Sequence, residues 1–518
     1  EVEDYAVNVV TLAVCPPQTG PSTITCAPEL RMLLTPCYVN GDPLAGGTAG
    51  TLDAMVMARY QNIGKPGDST YSPVVHLASA SEVGAVWGVA FDPNRQVSFM
   101  SAVLRRHAGF GPLGIGGIYK WDMNTGAVTN YLDVNTLPGV SVGTNLRTAF
   151  NGLPLSADEL PASASSPSYD VSAHALIGKT GLGGIDLSAD GNTLWAVNLH
   201  ARELLRINVS GATPSLTAKY SIPAPAVSVG SWRPWACKFH NNKVFVGIVT
   251  DAEGGTAAAL QGSVVAFDVA TSTWCHVVGF PLNYQRGYIH TSIASPLANW
   301  RPWNNSQTTV VHSSTTFRVD PQPILSDIEF DTNGEIMLGF LDRTGFQWGH
   351  NNYYPDPTLT NTNSVQAMTA GDLLRVGIKS GLYELENNGV AGSQTGGLSS
   401  LPTQGPGGKE FYAGDKFVNI HEETLWGGLA FMPGSGEIVS VGMDAVQVDL
   451  RYPAGGFFTL SNQTGDFIRG SEVFWDATGT FGKANGLGDA EFICLPLPAT
   501  HYGDLADSGT GTSAANHN

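Results

Sequence analysis

Charge is what this 518-residue chain is shortest of: 14% of its residues are Asp, Glu, Lys or Arg, against about 25% in an average soluble domain. Helical bundles and coiled coils are built from Ala, Glu, Lys and Leu, so that scarcity argues against them. Basic residues are scarcest, 26 against 44 acidic ones, and the net charge of −18 leaves no basic footprint for nucleic acid. No apolar run approaches the ~18 residues of a membrane span. An initiator Met, a basic leader and an apolar leader are also missing. The opening "EVEDYAVNVV" reads as the middle of a strand pattern, which suggests a processed chain or an excerpt.

Catalytic and metal signatures are missing as well. The six cysteines, at 15, 26, 37, 237, 275 and 494, never fall in a CxxC spacing, which argues against zinc. The 12 histidines form no HExxH. The glycine-rich "RRHAGFGPLGIGGIY" lacks the Gly-Lys-Ser/Thr ending of a phosphate loop; it reads as a rigid connection projecting Arg105, Arg106 and His107. The expectation is a protein that is not an enzyme.

Glycine (62) and proline (31) are abundant, which favours many short strands joined by tight turns. Five segments overlay: "WGVAFDPNRQVSFMSAV" from Trp87, "GGIDLSADGNTLWAVNL" from Gly183, "WACKFHNNKVFVGIV" from Trp235, "SDIEFDTNGEIMLGFLD" from Ser326 and "GGLAFMPGSGEIVSVGM" from Gly427. Each is an alternating strand, a turn such as Asp190-Gly191 or Asn333-Gly334, and a second alternating strand. Four continue into a third strand, with room for a fourth. A repeated four-stranded antiparallel sheet is a β-propeller blade, because stacked twisted sheets bury faces that one sheet leaves open. The fold class is all-β, with the propeller at 71–480. Residues 1–70 form an N-terminal strand and Cys-containing β segment, and 481–518 an exit strand and the start of a following module. The repeat starts are 96, 52, 91 and 101 residues apart, against about 40–50 per blade, which gives five to seven blades with long loops on one face.

Equivalent positions along the first strands hold Ala90, Asp186, Lys238, Glu329 and Ala430. If these face the axis, Asp186 and Glu329 beside Lys238 are candidates for holding Ca²⁺ or for acid–base work; the blander role is an ion network closing the channel. "WRPW" occurs twice, offering Trp232, Arg233, Trp235, Trp300, Arg301 and Trp303 for cation–π packing inside the protein or for binding glycans. Cys237 and Cys275 share a repeat unit and are expected to pair, and one of Cys15, Cys26 and Cys37 to reach Cys494. An even count fits an oxidising, extracellular compartment. Asn208, Asn304 and Asn462 head NxS/T sequons.

"FGKANGLGDAEFICLPLP" from Phe481 and "AVWGVAFDPNRQVSFMSAVLRRHAGFGPLGIGGIY" from Ala85 resemble the propeller-like region that precedes Sdr-type repeats in large bacterial surface proteins. "EVEDYAVNVV" resembles the closing strand of GEVED-type β-sandwich modules. "HYGDLADSGTGTSAANHN" resembles their opening, with His501 where Asp is usual. The resemblance implies a secreted or cell-surface bacterial protein. Its terminal strands, through Val2, Tyr5, Val7 and Val9 and through Tyr502, Asp504 and Leu505, would join it to copies of itself as a filament, sheath or adhesin. Two other readings stand beside this structural one: a glycan- or partner-binding propeller, and a metal-dependent propeller hydrolase or lactonase at Asp186 and Glu329.

Overall fold

A computed structural model describes residues 12–290, 299–306, 312–313, 317–397, 404–417, 420–447, 451 and 453–495. They form six four-stranded antiparallel blades around one axis. Blade two comprises Val86–Asp92, Val97–Ala102, Gly117–Asp122 and Val128–Asp133; blade three Leu182–Leu187, Thr193–Asn198, Glu203–Asn208 and Ser215–Ser221. Blade four comprises Trp232–His240, Lys243–Thr250, Gln261–Asp268 and Thr273–Pro281, with Ala13–Val14 added parallel at its outer edge. Blade five comprises Pro323–Phe330, Ile336–Asp342, Asp372–Lys379 and Leu382–Leu385; blade six Leu425–Phe431, Glu437–Met443, Ala454–Ser461 and Phe467–Trp475.

Blade one closes the ring with strands from both ends of the chain. Arg31–Pro36, Asp53–Arg59 and Val75–Ser79 supply its outer three strands, and Glu491–Cys494 the innermost. The propeller therefore runs from Arg31 to Cys494, wider than the 71–480 read from the repeat. The spacing argument could not find a blade whose four strands lie at opposite ends of the sequence.

The local sequence explains the elements. Gly191 (φ 70°) and Gly334 (φ 84°) occupy the left-handed region that the two tight hairpins require. Small residues line the inner strands because blades converge there: a Cβ on Gly88 would lie 2.9 Å from the Ile185 amide of the next blade, and one on Gly184 2.8 Å from that of Cys237. Burial falls outward from the axis. Every residue of the inner Pro323–Phe330 is buried, while the outer Ser215–Ser221 alternates exposed and half-buried. In blades two to six the turns joining first to second and third to fourth strands are short and share one face. The long connections, including 134–181, 343–371 and 386–424, leave from the other. Among the described residues no helix is long and apolar enough to cross a membrane.

A strap crosses the short-turn face. Cys15 is bonded to Cys275 on the outer strand of blade four, and Cys26 to Cys494 at the end of the inner strand of blade one. Between them, Thr19 O meets His240 Nε2 at 2.7 Å, and the Gln18 amide donates to Tyr383 Oη at 2.9 Å. The expected Cys237–Cys275 bridge is therefore corrected. Cys237 sits on the inner strand of blade four, buried and free, while Cys275 lies on the outermost strand of the same blade and meets the strap; Cys37 is also free. Val2, Tyr5, Val7, Val9, Tyr502, Asp504 and Leu505 lie outside the described residues.

Candidate functional site

The inner strands bring Asp186, Lys238 and Glu329 together at the axis, near the strap. Lys238 Nζ lies 2.7 Å from Glu329 Oε1. Burial works against the Lys238 ammonium, but Glu329, Asp186 and Glu491 outweigh it and hold its pKa well above the ordinary lysine value. It is a fixed cation here and not a nucleophilic amine.

Three carboxylates join neighbouring blades in alternation. Asp489 of blade one accepts from the Val89 amide of blade two at 3.2 Å. Asp186 of blade three accepts from Phe239 of blade four at 2.7 Å, and Asp327 of blade five from Leu429 of blade six at 2.7 Å. Asp327 and Asp489 also face each other: burial, then the neighbouring Asp489, pushes the Asp327 carboxyl well above the usual range, and burial raises Asp489 to about 7. Such a pair shares a proton at neutral pH. Burial likewise raises Asp186 and Glu329, with Lys238 opposing, and raises Glu491 strongly.

The axis thus holds five carboxylates and one ammonium, most of them engaged in holding blades to one another. A cation bound by Asp186 and Glu329 would have to displace Lys238 from Glu329 and compete with the Phe239 and Leu187 amides on Asp186. Sequence reasoning missed Asp327, Asp489 and Glu491, although a signal was present. "GDAEF" from Gly488 is a sixth copy of the inner-strand motif, matching "SDIEF" from Ser326.

The long-loop end of the axis is closed by aromatic side chains. Phe346, on the short buried helix Arg343–Trp348, packs edge-on against Tyr38, Trp87 and Trp235, which come from three different blades. Arg105 lies over the rings of Phe481 (3.9 Å), Tyr38 (4.4 Å) and Phe346 (4.5 Å), and burial lowers its pKa to about 9. Arg106 donates to the carbonyls of Asp170, Gln347 and Tyr353, tying two long loops together. Arg105, Arg106 and His107 are fully buried, so the connection expected to project them turns them inward instead. The guanidinium N–H groups of Arg105 and Arg106 satisfy loop carbonyls that would otherwise be unpaired.

The "WRPW" residues also face inward. Trp235, Trp300 and Trp303 are at most 2% exposed, which withdraws their ring faces from a glycan. Trp303 carries two guanidinium groups, Arg343 at 4.5 Å and Arg233 at 5.6 Å, and Trp300 carries Arg286 at 4.2 Å. Arg233 is held by Asp251, Arg301 by Asp320, and half-buried Trp232 by Arg202. Of the sequon residues, Asn208 is exposed, while Asn462 is buried between Arg375 and Tyr412. An apolar groove of about 700 Å³ lies beside the outer edge of blade four, away from the axial carboxylates; His276 is the one titratable side chain among its lining residues.

No protein-family profile matches the chain. It is similar to colossins of Dictyostelium discoideum: 27% identical to Colossin-A over 90% of this chain and 4% of that protein, and 24% identical to Colossin-B over 92% and 12%. Colossin-D is 26% identical over 82% of this chain and 42% of its own length. The chain therefore spans a small part of the first two. These relatives lend no support to a bacterial source or to the Sdr and GEVED resemblances. Solved structures with similar arrangement include a hypothetical selenium-binding protein from Sulfolobus tokodaii, 10% identical over 91% of this chain and 97% of that one, with a TM-score of 0.40. Another is the Cps50 β-propeller domain of Myceliophteria thermophila, 7% identical over 92% and 99%, with a TM-score of 0.33.

Proposed function

We propose that this chain is a non-catalytic propeller segment of a longer secreted protein, built to carry tension past itself. The observation behind this reading is the Cys26–Cys494 bond, which joins residues separated by 468 positions. A pull applied on either side of the described chain runs through residues 12–26, across one disulfide and out through residues 494–495. Beyond Ala13–Val14, which edges blade four, that path runs through no blade. Cys15–Cys275 fastens the strap that carries this path to blade four.

The two disulfides fit an oxidising, extracellular compartment. The partial coverage of Colossin-A and Colossin-B fits a module within something larger. The axial carboxylates, engaged in blade-to-blade hydrogen bonds and the Lys238 pair, fit a structural centre better than a reactive one. Filament assembly through the terminal strands belongs to the same reading. Deleting residues 1–10 should leave a folded propeller that no longer self-associates on sedimentation.

Single-molecule stretching from both ends tests the tension path. The oxidised chain should show no propeller-sized extension. Reduction should release the 468-residue loop, about 160 nm at about 3.5 Å per residue. That release before reduction would sink the reading.

A further inference from the structure

A second acidic cluster lies away from the axis, between blades five and six. Asp372 opens the third strand of blade five, Glu423 stands two residues before the inner strand of blade six, and Glu410 lies in the connection between them. Ligand oxygens of these three lie within 4.8 Å of one another, and all three residues are at most 2% exposed. Oxygens bound 2.3–2.6 Å from one ion are at most about 5 Å apart, so this spacing fits a single coordination shell.

An independent observation points to a ligand. Both carboxylate oxygens of Glu410, both of Asp415, Glu423 Oε2 and Gln404 Oε1 are fully buried with no hydrogen-bond partner. Orphaned buried acceptors are rare, and six of them in one connecting segment call for a shared partner. Protein donors do not supply it. Glu423 uses its other oxygen on the Gly287 amide at 2.8 Å, and Asp372 accepts from Tyr284 Oη at 2.6 Å. Arg286 acts on Glu423 and Asp372 through its charge and makes no hydrogen bond to either: Nη1 is engaged by the carbonyls of Ala370 and Gly371, and Nε and Nη2, also buried, reach no acceptor. Without a cation, burial and mutual repulsion push Glu410, Asp415 and Glu423 well above the ordinary carboxylate range.

We propose that Asp372, Glu410 and Glu423 form a buried Ca²⁺ site, with the unpartnered oxygens of Asp415 and Gln404 in the same connecting segment available to complete its shell. The donors are all oxygen, which selects a hard cation over zinc or copper. Ca²⁺ accepts six to eight such ligands in irregular geometry, whereas Mg²⁺ keeps several waters, and an enclosed carboxylate-rich pocket suits the former. The ion would clamp the 386–424 connection, which has little regular structure, to the blades on either side.

The test uses the full oxidised chain, stripped with EGTA and titrated with CaCl₂ by calorimetry and thermal melting. One Ca²⁺ per chain should bind at about 10⁻⁴ M or tighter, with a melting-point rise of several degrees that Mg²⁺ does not reproduce. Glu410→Gln should weaken binding at least about tenfold, while Glu329→Gln at the axis should leave it unchanged. A chain that binds no stoichiometric Ca²⁺ overturns the proposal, and so does binding abolished by Glu329→Gln but not by Glu410→Gln. Should Glu410→Gln fail to fold, Tb³⁺ luminescence sensitised by Tyr284 in the unaltered chain decides: emission displaced by Ca²⁺ supports the site, and its absence overturns it.

Discussion

Lys238 Nζ and Glu329 Oε1 lie 2.7 Å apart across the boundary between blades four and five, and the Lys238 ammonium is the charge that opposes the burial of Glu329. Asp186 and Glu491 are held near by the same ammonium. Removing it strands three buried carboxylates. Lys238→Met should lower stability by about 3 kcal/mol at pH 8 in denaturant unfolding, and less at pH 5, where the carboxyls take up protons. Adding Glu329→Gln should recover part of the loss. An unchanged midpoint in the single variant would mean that the pair is solvated.

The raised carboxyls fix the direction of the pH dependence. Burial foremost lifts Asp489 and Asp342 to about 7 and Glu386 to about 8. A carboxyl whose folded pKa exceeds its unfolded value binds its proton more tightly when folded. Its contribution is fully present below the unfolded value and is lost as pH rises through the folded one. The Ca²⁺-free chain should therefore melt several degrees higher at pH 5 than at pH 8 in calorimetry. Asp489→Asn, which replaces the shared proton with a permanent N–H donor to Asp327, should reduce that slope. A melting point that rises with pH over this window would contradict the assignment.

The free thiols should be inert. Burial, then the neighbouring Asp186, pushes Cys237 well above the ordinary thiol value, and burial, then Asp53, does the same for Cys37. At pH 8 neither should react with a thiol reagent in the folded protein, and both should react after unfolding. Peptide mapping should recover Cys15–Cys275 and Cys26–Cys494. Rapid labelling of Cys237 in the native state would refute the enclosed position.

What the sequence shows and hides follows from distance along the chain. Alternation and the Asp-Gly and Asn-Gly turns are local, so the blades around Gly183 and Ser326 can be read directly. The axial trio is legible because a repeat places equivalent residues at equivalent heights. Blade one is not, because hydrogen bonds pair Arg31 with Cys494. The Cys237–Cys275 expectation failed for a related reason. Residues of one blade stand on inner and outer strands, several strand spacings of about 4.8 Å apart, whereas the strap brings a distant cysteine to the rim. The inward turn of Arg105 and Arg106 is invisible locally, since it answers carbonyls on loops around Tyr353 and Ala484.

Closure of the ring depends most on the bond beside that pairing. The inner strand of blade one has only the four residues Glu491–Cys494, hydrogen-bonded to residues 31–34 and ending at the Cys494 sulfur. Four ladder positions hold a closing strand weakly, and the bond to Cys26 prevents their separation. Cys494→Ser should cost about 4 kcal/mol, within the range usual for loss of a native disulfide, and should raise hydrogen exchange first in 31–36 and 491–494. Cys15→Ser frees the strap at blade four and leaves the closing strand attached, so its exchange increase should appear around 13–19 and along Thr273–Pro281. Equal protection of blade one in both variants would show that side-chain packing alone closes the ring.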